Sequence, residues 1–375
     1  MRKILFITGT RADFGKLKPL IRAVHDDPTL VEYVFATGMH LLAAHGETYL
    51  EIRKCDFSNL FLCFNQTAEQ NRPELVLAET VSGLSKYVCE VRPQLIVIHG
   101  DRMEALAGAI VGNACGVPVA HIEGGELSGT IDEVVRHAVT KLSHMHFVAN
   151  REAQNRVEQM GEDPRSIHQI GSPEVDVMLG SLPEIEKVKQ RYSIPFDQYA
   201  IFCYHSVSDE LADLPDKIGE VLMAMVESTH SYVVIQPNND PGAEVIRRAI
   251  SEMLMPDCWG RFRIYPSMRF EYYLSLLKHA QFVLGNSSSG IREAPVYGVP
   301  AINLGTRQRN RGDSPAVVHV DENENEILMA MAALPKAVKP NYPFGEGGSA
   351  EKFVAILRRC SWQAIPQKQF QEVRR

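Results

Sequence analysis

The sequence has no long apolar run, no paired-cysteine motif and no excess of positive charge. No apolar stretch approaches the ~20 residues of a membrane-spanning helix, which argues against an integral membrane protein. The seven cysteines are scattered and include no C-x-x-C pair. This pattern indicates neither a disulfide framework nor a zinc site, and it favours reduced thiols in a cytoplasmic protein. A net charge of −7 argues against non-specific nucleic-acid binding.

The 375 residues contain an alternation of two kinds of segment. Short, β-branched, wholly apolar runs alternate with longer stretches of helical period, which is typical of a parallel sheet covered by helices on both faces. Strands are predicted at Ile4–Thr8, Tyr33–Thr37, Leu95–His99, Val117–Ile122, His146–Ala149, Ala200–Tyr204, Tyr232–Gln236, Arg263–Tyr265, Phe282–Leu284, Ala301–Leu304 and Val317–Val320. Helices are predicted at Lys16–Asp26, Glu74–Val91, Glu104–Cys115, Glu133–Ser143, Arg151–Met160, Asp213–Thr229, Ala243–Met255, Arg269–His279, Ile291–Tyr297, Glu324–Leu334 and Ala350–Arg359.

The alternation restarts after the polar stretch Leu182–Gln198. We therefore predict an α/β chain of two Rossmann-like, doubly wound domains over residues 1–175 and 176–355. The tail, residues 356–375, is predicted to form a helix that crosses back. Two such domains usually bind ligand in the cleft between them, at the carboxyl ends of the strands.

Two loops in the first half place charged side chains between a predicted strand and a helix. The first loop, GTRADFGKLKPL, begins at Gly9 and contains the cations Arg11 and Lys16. Its two glycines, Gly9 and Gly15, permit a tight turn. The N–H groups at the start of the following helix attract phosphate. An ordinary solvated loop is the alternative. The loop is not G-x-G-x-x-G, so a nicotinamide site is not indicated. In HGDRMEAL, Asp101 and Arg102 follow a predicted strand, and the aspartate suits either a ligand site or a helix N-cap.

A third loop, HIEGGELSGTIDEVVRHAVTKLSH, gathers acidic residues around glycines. Its acids are Glu123, Glu126, Asp132 and Glu133. Carboxylates at a strand end, where glycines let a substrate approach, suit general acid–base chemistry. Asp132 precedes a helix, so an N-cap is its alternative role. A metal site is a further alternative, and its ligands would be His121, Glu123, His144 and His146.

The second half carries two polar segments at predicted strand ends. His205 follows the first strand of this half, and Asn238 follows the second; a histidine facing a cleft suits a phosphate partner or an acid. In GNSSSGIREAPVYGVPAINLGTRQRNR, the serines and the helix start form an anion nest. Glu293 would suit a ribose diol, and Arg307, Arg309 and Arg311 add cations. The combination favours binding of a nucleoside diphosphate over a plain serine-rich loop.

Together these motifs resemble the UDP-N-acetylglucosamine 2-epimerase family, whose fold is the two-domain GT-B fold. The resemblance extends over nearly the whole chain and rests on GTRADFGKLKPL, HGDRMEALAGA, HIEGGELSGTIDEVVRHAVTKLSH and GNSSSGIRE with GVPAINLGTRQ. The RAD form of the first motif resembles the hydrolysing branch, which makes N-acetylmannosamine for sialic acid and capsule synthesis. The non-hydrolysing branch typically has RPE there. Gly15 departs from the serine of some hydrolysing members, so one hydroxyl contact is expected to be missing.

The resemblance implies roles for individual residues. Asp101, Glu123 and Asp132 match the family's catalytic carboxylates, and we add His205 to the catalytic set. The residues expected to bind UDP or substrate are Arg11, Lys16, Arg102, Arg136, His205, Asn238, Met268, Ser287, Ser288, Ser289, Gly290, Glu293 and Arg307.

The implied reaction is anti elimination of UDP to 2-acetamidoglucal, followed by hydration. It needs two carboxylates on different faces of the sugar and neither metal nor nicotinamide. Expected partners are a UDP-sugar and UDP, with no nucleic acid or membrane, in a homodimer or homotetramer.

Other functions remain open from the sequence. One is a hydrolysing epimerase acting on UDP-2,4-diacetamido-trideoxyglucose, on the route to legionaminic acid. A second is a non-hydrolysing epimerase or a GT-B glycosyltransferase, and a third is a non-catalytic nucleotide-sugar sensor. A glycosyltransferase would not need three clustered carboxylates, and a sensor would not retain them.

Overall fold

The computed structural model describes residues 1–43, 46–67, 72–128, 132–237, 241–254, 260–308, 314–335, 338–360, 368–369 and 371–372. The chain divides into two compact units. The first unit comprises Met1–Glu126, Ile131–Leu179 and Phe344–Arg375, and the second comprises Leu127–Thr130 and Gly180–Pro343. Within the described ranges, no helix combines the length and the apolarity needed to cross a bilayer.

The first unit contains a seven-stranded parallel sheet. Its strands are β1 (Arg2–Thr8), β2 (Leu30–Ala36), β3 (Leu60–Leu62), β4 (Leu95–His99), β5 (Val119–Ile122), β6 (Met145–Val148) and β7 (Ile167–Gln169). Its helices up to residue 179 are α1 (Arg11–His25), α2 (Tyr49–Arg53), α3 (Pro73–Val91), α4 (Met103–Ala114), α5 (Asp132–Leu142), α6 (Arg151–Gln159) and α7 (Pro173–Leu179). The strand order β3-β2-β1-β4-β5-β6-β7 changes direction between β1 and β4. Ligands of open α/β sheets bind at this point, outside the carboxyl ends of the strands.

Strand β1 shows why the short apolar runs form buried strands. Ile4 and Phe6 point into one apolar core, which also contains the buried face of α1, whereas Leu5 and Ile7 point into a second core beside α3 and α4. All four side chains are buried. A strand covered by helices on both faces has no polar face, which explains the continuous apolar sequence.

The second unit repeats the architecture with a six-stranded parallel sheet in the order β10-β9-β8-β11-β12-β13. Its strands are β8 (Ala200–Cys203), β9 (Tyr232–Ile235), β10 (Phe262–Tyr265), β11 (Val283–Gly285), β12 (Ala301–Leu304) and β13 (Val317–Val320). Its helices are α8 (Ile185–Tyr192), α9 (Leu214–Glu227), α10 (Ala243–Leu254), α11 (Phe270–Lys278), α12 (Ser289–Arg292) and α13 (Glu324–Ala333). The order changes direction between β8 and β11.

The last long helix, α14 (Ser349–Arg359), belongs to the first unit. Its Phe353 packs on Phe6 and Phe147, with ring centroids 6.4 and 4.8 Å apart. Asp176 accepts hydrogen bonds from the backbone of Ser349 and Ala350 at the start of the helix. We expected the return to follow residue 355, but the chain returns near Phe344 because this amphipathic helix completes the first core.

Of the expected tail helix, residues 361–367, 370 and 373–375 lie outside the described residues. Lys368 binds the first unit, where its Nζ lies 2.5 Å from the Glu162 carboxylate.

Every predicted strand occurs within a few residues of its expected bounds. Two edge strands, β3 and β7, and the short helices α2, α7 and α8 were not predicted, since each is too short to show a clear period. Helix α1 begins at Arg11 rather than Lys16. Gly15 therefore lies inside the helix, and the turn that we assigned to it was wrong.

Candidate active site

The loop between β1 and α1 is fixed by a helix cap and by close packing. The Thr10 hydroxyl accepts a hydrogen bond from the backbone N–H of Asp13, and the Asp13 carboxylate accepts one from the N–H of Gly9. A Cβ at Gly9 would lie 2.5 Å from the carboxyl carbon of buried Glu104. Glycine at position 9 therefore leaves room for the Glu104 side chain of α4, and the cap holds the Asp13 carboxylate near the end of β1.

Asp13, His99 and Glu123 form a continuous chain at the carboxyl ends of the strands. His99 Nδ1 lies 2.9 Å from Asp13 Oδ1, and His99 Nε2 lies 3.0 Å from Glu123 Oε2. The side chains of Asp13 and His99 are each 10 % exposed, and that of Glu123 is 5 % exposed. Burial opposes protonation of His99, but its bonds to Asp13 and Glu123 outweigh burial and raise the His99 pKa to about 9.

The Glu123 carboxylate has protein donors on both of its oxygens. The Ser172 hydroxyl donates to Oε1, and Lys16 Nζ lies 3.6 Å from Oε2 and 3.3 Å from Glu174 Oε2. Glu123 also has a φ of +62°, in the left-handed region that side-chain-bearing residues rarely adopt. Such a conformation persists only where surrounding contacts enforce it, and it is typical of functional sites.

The second predicted carboxylate, Asp101, is ion-paired with Arg136. The guanidinium of Arg136 is buried and also donates to the carbonyl of Glu126, at 3.0 Å. Arg136 lies one turn into α5, whose first residue is the exposed Asp132. One helix therefore carries both the partner of Asp101 and the third predicted carboxylate. The structure gives Arg136, which we expected to bind substrate, a carboxylate partner within the protein.

The two other predicted cations of the first unit also have acidic partners. Arg11 contacts Glu51 at 2.5 Å, and Arg102 contacts Glu104 at 3.3 Å. The side chain of Arg102 is 45 % exposed. Its guanidinium charge therefore lies at the protein surface beside the acidic site.

The histidines of the alternative metal site are bound by the protein itself. His121 lies 2.8 Å from the carbonyl of Gly100 and 3.1 Å from the Thr140 hydroxyl, and burial lowers its pKa to about 3. His146 pairs with Glu162, and His144 accepts the N–H of Val119. Among the described residues, no group of three or more His, Cys, Asp or Glu side chains is placed to hold a metal ion.

In the second unit, Asn286 organises the carboxyl end of β11. Its side chain accepts the backbone N–H of His205 and donates to the carbonyl of the same residue, each at 2.7 Å. The backbone carbonyl of Asn286 accepts hydrogen bonds from the Arg307 guanidinium at 3.1 Å and from the Gln308 side-chain amide at 2.9 Å. Asn286 thus joins the ends of β8, β11 and β12, and it fixes two of the predicted binding residues.

The serine segment comes directly after Asn286. Ser287 and Ser288 are partly exposed, whereas Ser289 and Gly290 are buried in α12, and the Tyr273 hydroxyl donates to Ser289 at 2.6 Å. Glu293 and Met268 are also buried. Burial raises the pKa of the nearby Cys203 thiol to about 11, although Ser287 and Arg307 oppose this shift. The predicted residues Asn238, Arg309 and Arg311 lie outside the described residues.

Sequence reasoning missed several groups that hold these sites together. In the first unit they are Asp13, His99, Ser172 and Glu174. In the second unit they are Asn286 and Glu322, whose carboxylate accepts a hydrogen bond from the Tyr204 hydroxyl at 2.9 Å. All except Asp13 and Glu174 lie at or shortly after the carboxyl end of a strand. That position, combined with a polar residue type, is the signal that could have identified them.

Comparison with known proteins gives consistent matches over the whole chain. A family model described as UDP-N-acetylglucosamine 2-epimerase matches residues 22–358. A Neisseria meningitidis serogroup B protein named UDP-N-acetylglucosamine 2-epimerase is 43% identical, over 99% of each chain. A Legionella pneumophila protein named UDP-N,N'-diacetylbacillosamine 2-epimerase (hydrolyzing) is 32% identical, over 96% of each chain.

Comparison with solved structures leads to the same group of proteins. A crystal structure of UDP-GlcNAc 2-epimerase from Neisseria meningitidis bound to UDP-GlcNAc covers 96% of this chain and 100% of its own, with a TM-score of 0.80 at 19% identity. Two doubly wound sheets in the GT-B arrangement of elements, as expected from the motifs, are therefore confirmed. From the family match and the relatives above 30% identity, the chain belongs to the UDP-N-acetylglucosamine 2-epimerase family.

Proposed function

We propose that this protein is a hydrolysing UDP-N-acetylglucosamine 2-epimerase, which converts UDP-N-acetylglucosamine into N-acetylmannosamine and UDP. The observation that carries the proposal is the set of carboxylates at the edge of the first sheet. Glu123 is buried among donors, Asp101 is paired with Arg136, and Asp132 begins the same helix. Three acids in three environments suit a reaction that moves protons in two separate steps.

The first step is an anti elimination. The C1–O bond breaks and its electron pair leaves with UDP, while a carboxylate removes the C2 proton and a C1=C2 double bond forms. Because the C2 proton is not acidic in the bound sugar, departure of UDP leads and C1 gains positive charge. Arg307 and the N–H and hydroxyl groups of Ser287 and Ser288 would stabilise the departing diphosphate. We assign the base to Glu123.

The second step is hydration of 2-acetamidoglucal. An acid protonates C2 from the opposite face, and water adds at C1 to give the manno sugar. We assign this step mainly to Asp101 and Asp132. Asp132 is exposed, which suits exchange of its proton with water. Neither step changes the oxidation state of the sugar overall, so the reaction has no need of a nicotinamide, and we expect turnover to survive treatment with EDTA.

The hydrolysing form is supported by the RAD sequence at Arg11–Asp13 and by the relative whose name specifies hydrolysis. That relative is named for a diacetylated sugar, UDP-N,N'-diacetylbacillosamine. A UDP-2,4-diacetamido-trideoxyhexose is therefore the second candidate substrate.

Incubation of the purified protein with UDP-N-acetylglucosamine, followed by NMR of the products, tests the proposal. Free N-acetylmannosamine and UDP are expected. UDP-N-acetylmannosamine without free sugar would contradict hydrolysis, and turnover restricted to the diacetamido sugar would transfer the assignment to the second candidate. The D132N variant is expected to release 2-acetamidoglucal; full activity with no accumulated glucal would reduce Asp132 to a helix-terminal residue.

A further inference from the structure

The proposed reaction uses Glu123 but leaves His99 and Asp13 without a role. We propose that His99 is a positioning residue: held as an imidazolium between Asp13 and Glu123, it keeps the Glu123 carboxylate ionised and fixes the direction of its Oε2 atom. The inference rests on the proposed function in one respect, namely that Glu123 acts on the sugar. The state of His99 itself is independent of that function.

The geometry suits two donors on one ring. A neutral imidazole carries a single N–H, so it donates through one nitrogen and accepts through the other. Here each ring nitrogen faces a carboxylate oxygen, at 2.9 Å on Asp13 and 3.0 Å on Glu123. An ionised carboxylate can only accept a hydrogen bond, so a ring between two ionised carboxylates donates through both nitrogens. The raised pKa of His99 agrees with this protonation state.

Acidic side chains predominate around the His99 ring. Three carboxylates, on Asp13, Glu123 and Glu174, face two cations, on His99 and Lys16. His121 on β5 also faces His99, and it remains neutral because burial lowers its pKa to about 3. On the outer side, Arg102 and His40 face Asp13. Loss of the His99 proton would remove a positive charge from between two largely buried carboxylates, which is unfavourable.

This arrangement suits the base of an elimination in which the leaving group departs first. Positive charge at C1 makes the neighbouring C2 proton acidic, so a carboxylate of modest basicity suffices. What matters more is that the carboxylate is ionised and correctly directed. His99 and Ser172 each hold one oxygen of Glu123, and the left-handed backbone at Glu123 fixes the base of the side chain.

The proposal predicts a pH dependence with a definite sign. The folded-state pKa of His99, about 9, lies above the ordinary value of 6.5. The imidazolium is therefore present at neutral pH and is lost as pH rises through about 9, and kcat should fall over the same range. The D13N variant keeps an oxygen acceptor for His99 but removes the negative charge. In this variant, the titration midpoint of His99 should fall by roughly 1–2 pH units.

The test combines NMR with kinetics. Histidine labelled with ¹³C at Cε1 gives one signal for each of the 13 histidines, and loss of a signal in H99Q assigns His99. We expect His99 to titrate near pH 9 in the wild type and lower in D13N, with the alkaline fall of kcat on UDP-N-acetylglucosamine moving by the same amount. D13E, which restores the charge, should return the midpoint towards the wild-type value.

A matched control is available in the same unit. His25 also pairs with a glutamate, Glu32, at 3.0 Å, but at the opposite end of α1. H25Q should leave the pH profile of kcat unchanged. Titration of wild-type His99 near 6.5, or an alkaline limb of kcat that does not move in D13N, would overturn the inference. A wild-type protein without turnover would refute the proposed function instead, and the NMR titration would still decide whether His99 is an imidazolium.

Discussion

The carboxyl edges of the two sheets differ in chemistry. In the first unit, largely buried acidic and basic side chains contact one another directly, as in the chain from Asp13 through His99 to Glu123. Around Asn286 in the second unit, amide, hydroxyl and backbone groups predominate, with Arg307 as the charged member. The first edge thus offers the acid–base groups that the proposed reaction needs, and the second offers donors for the proposed diphosphate.

The difference originates in the residues at the end of each strand and directly after it. Strands β4 and β5 end in His99 and in Ile122 before Glu123, whereas β11 ends in a glycine before Asn286 and the serines. Gly285 has a φ of +135°, and a Cβ there would overlap the carbonyl oxygen of Cys203. Glycine at this position lets β11 and β8 approach closely enough for the Asn286 side chain to bind the backbone at the end of β8.

The largest expected effect comes from removing the central charge of the first unit. E123Q should lower kcat by roughly 10³-fold, because the side chain can no longer accept a proton. The dissociation constant for UDP, measured by calorimetry, should stay within a few-fold of the wild type. E32Q, which neutralises the carboxylate paired with His25, is the matched control and should retain activity. A kcat of E123Q within tenfold of the wild-type value would contradict the assignment of Glu123 as the base.

A smaller, opposite pattern is expected from the second unit. R307M should weaken UDP binding by roughly 10–100-fold, the scale of a lost charge-assisted hydrogen bond. At saturating substrate, kcat should change much less. The control R248M removes an exposed arginine on α10 that contacts only Glu252 among the ion pairs of the described residues. If R307M lowered kcat strongly and left UDP binding intact, the division of labour between the two edges would be wrong.

The smallest effect is expected at the ion cluster around the buried Glu162, which has no role in the proposed chemistry and so serves as a comparison. Burial works against ionisation of Glu162, but hydrogen bonds from His146, Lys141 and Lys368 hold its pKa at about 2, below the usual 4.5. Stability from this cluster is therefore present above about pH 4.5 and lost as pH falls towards 2. E162Q should lower Tm by a few degrees at pH 7 and less at pH 3, with kcat unchanged at pH 7. An equal loss of Tm at both pH values would contradict the ionic role.

The sequence was sufficient to predict two doubly wound α/β units, and it placed candidate site residues at the ends of their strands. Buried parallel strands such as β4 have a continuous apolar sequence, and polar residues directly after them mark the ligand edge. Edge strand β3 and helix α2 were missed because three to five residues carry no period. The start of α1 at Arg11 was missed because Thr10 caps the helix there, whereas the two glycines indicated a turn that continued to Gly15.

Pairings within the site could not be predicted from spacing. Ser172 is 49 residues from Glu123, and Asp13 is 86 residues from His99. Only the strand order places them together, since the carboxyl ends of β1, β4, β5 and β7 lie along one edge of a sheet. The return of α14 to the first unit has the same origin, because its apolar face fits a core that the preceding sequence does not reveal.

The central claim is that UDP leaves by cleavage of the C1–O bond and that water then enters at C1. The most direct test is turnover of UDP-N-acetylglucosamine in water labelled with both ¹⁸O and deuterium. Products must be read promptly by mass spectrometry, because a free sugar slowly exchanges its C1 oxygen. We predict ¹⁸O in N-acetylmannosamine, deuterium at its C2 and no ¹⁸O in UDP. Recovery of ¹⁸O in UDP would show attack at phosphorus and would contradict the elimination account.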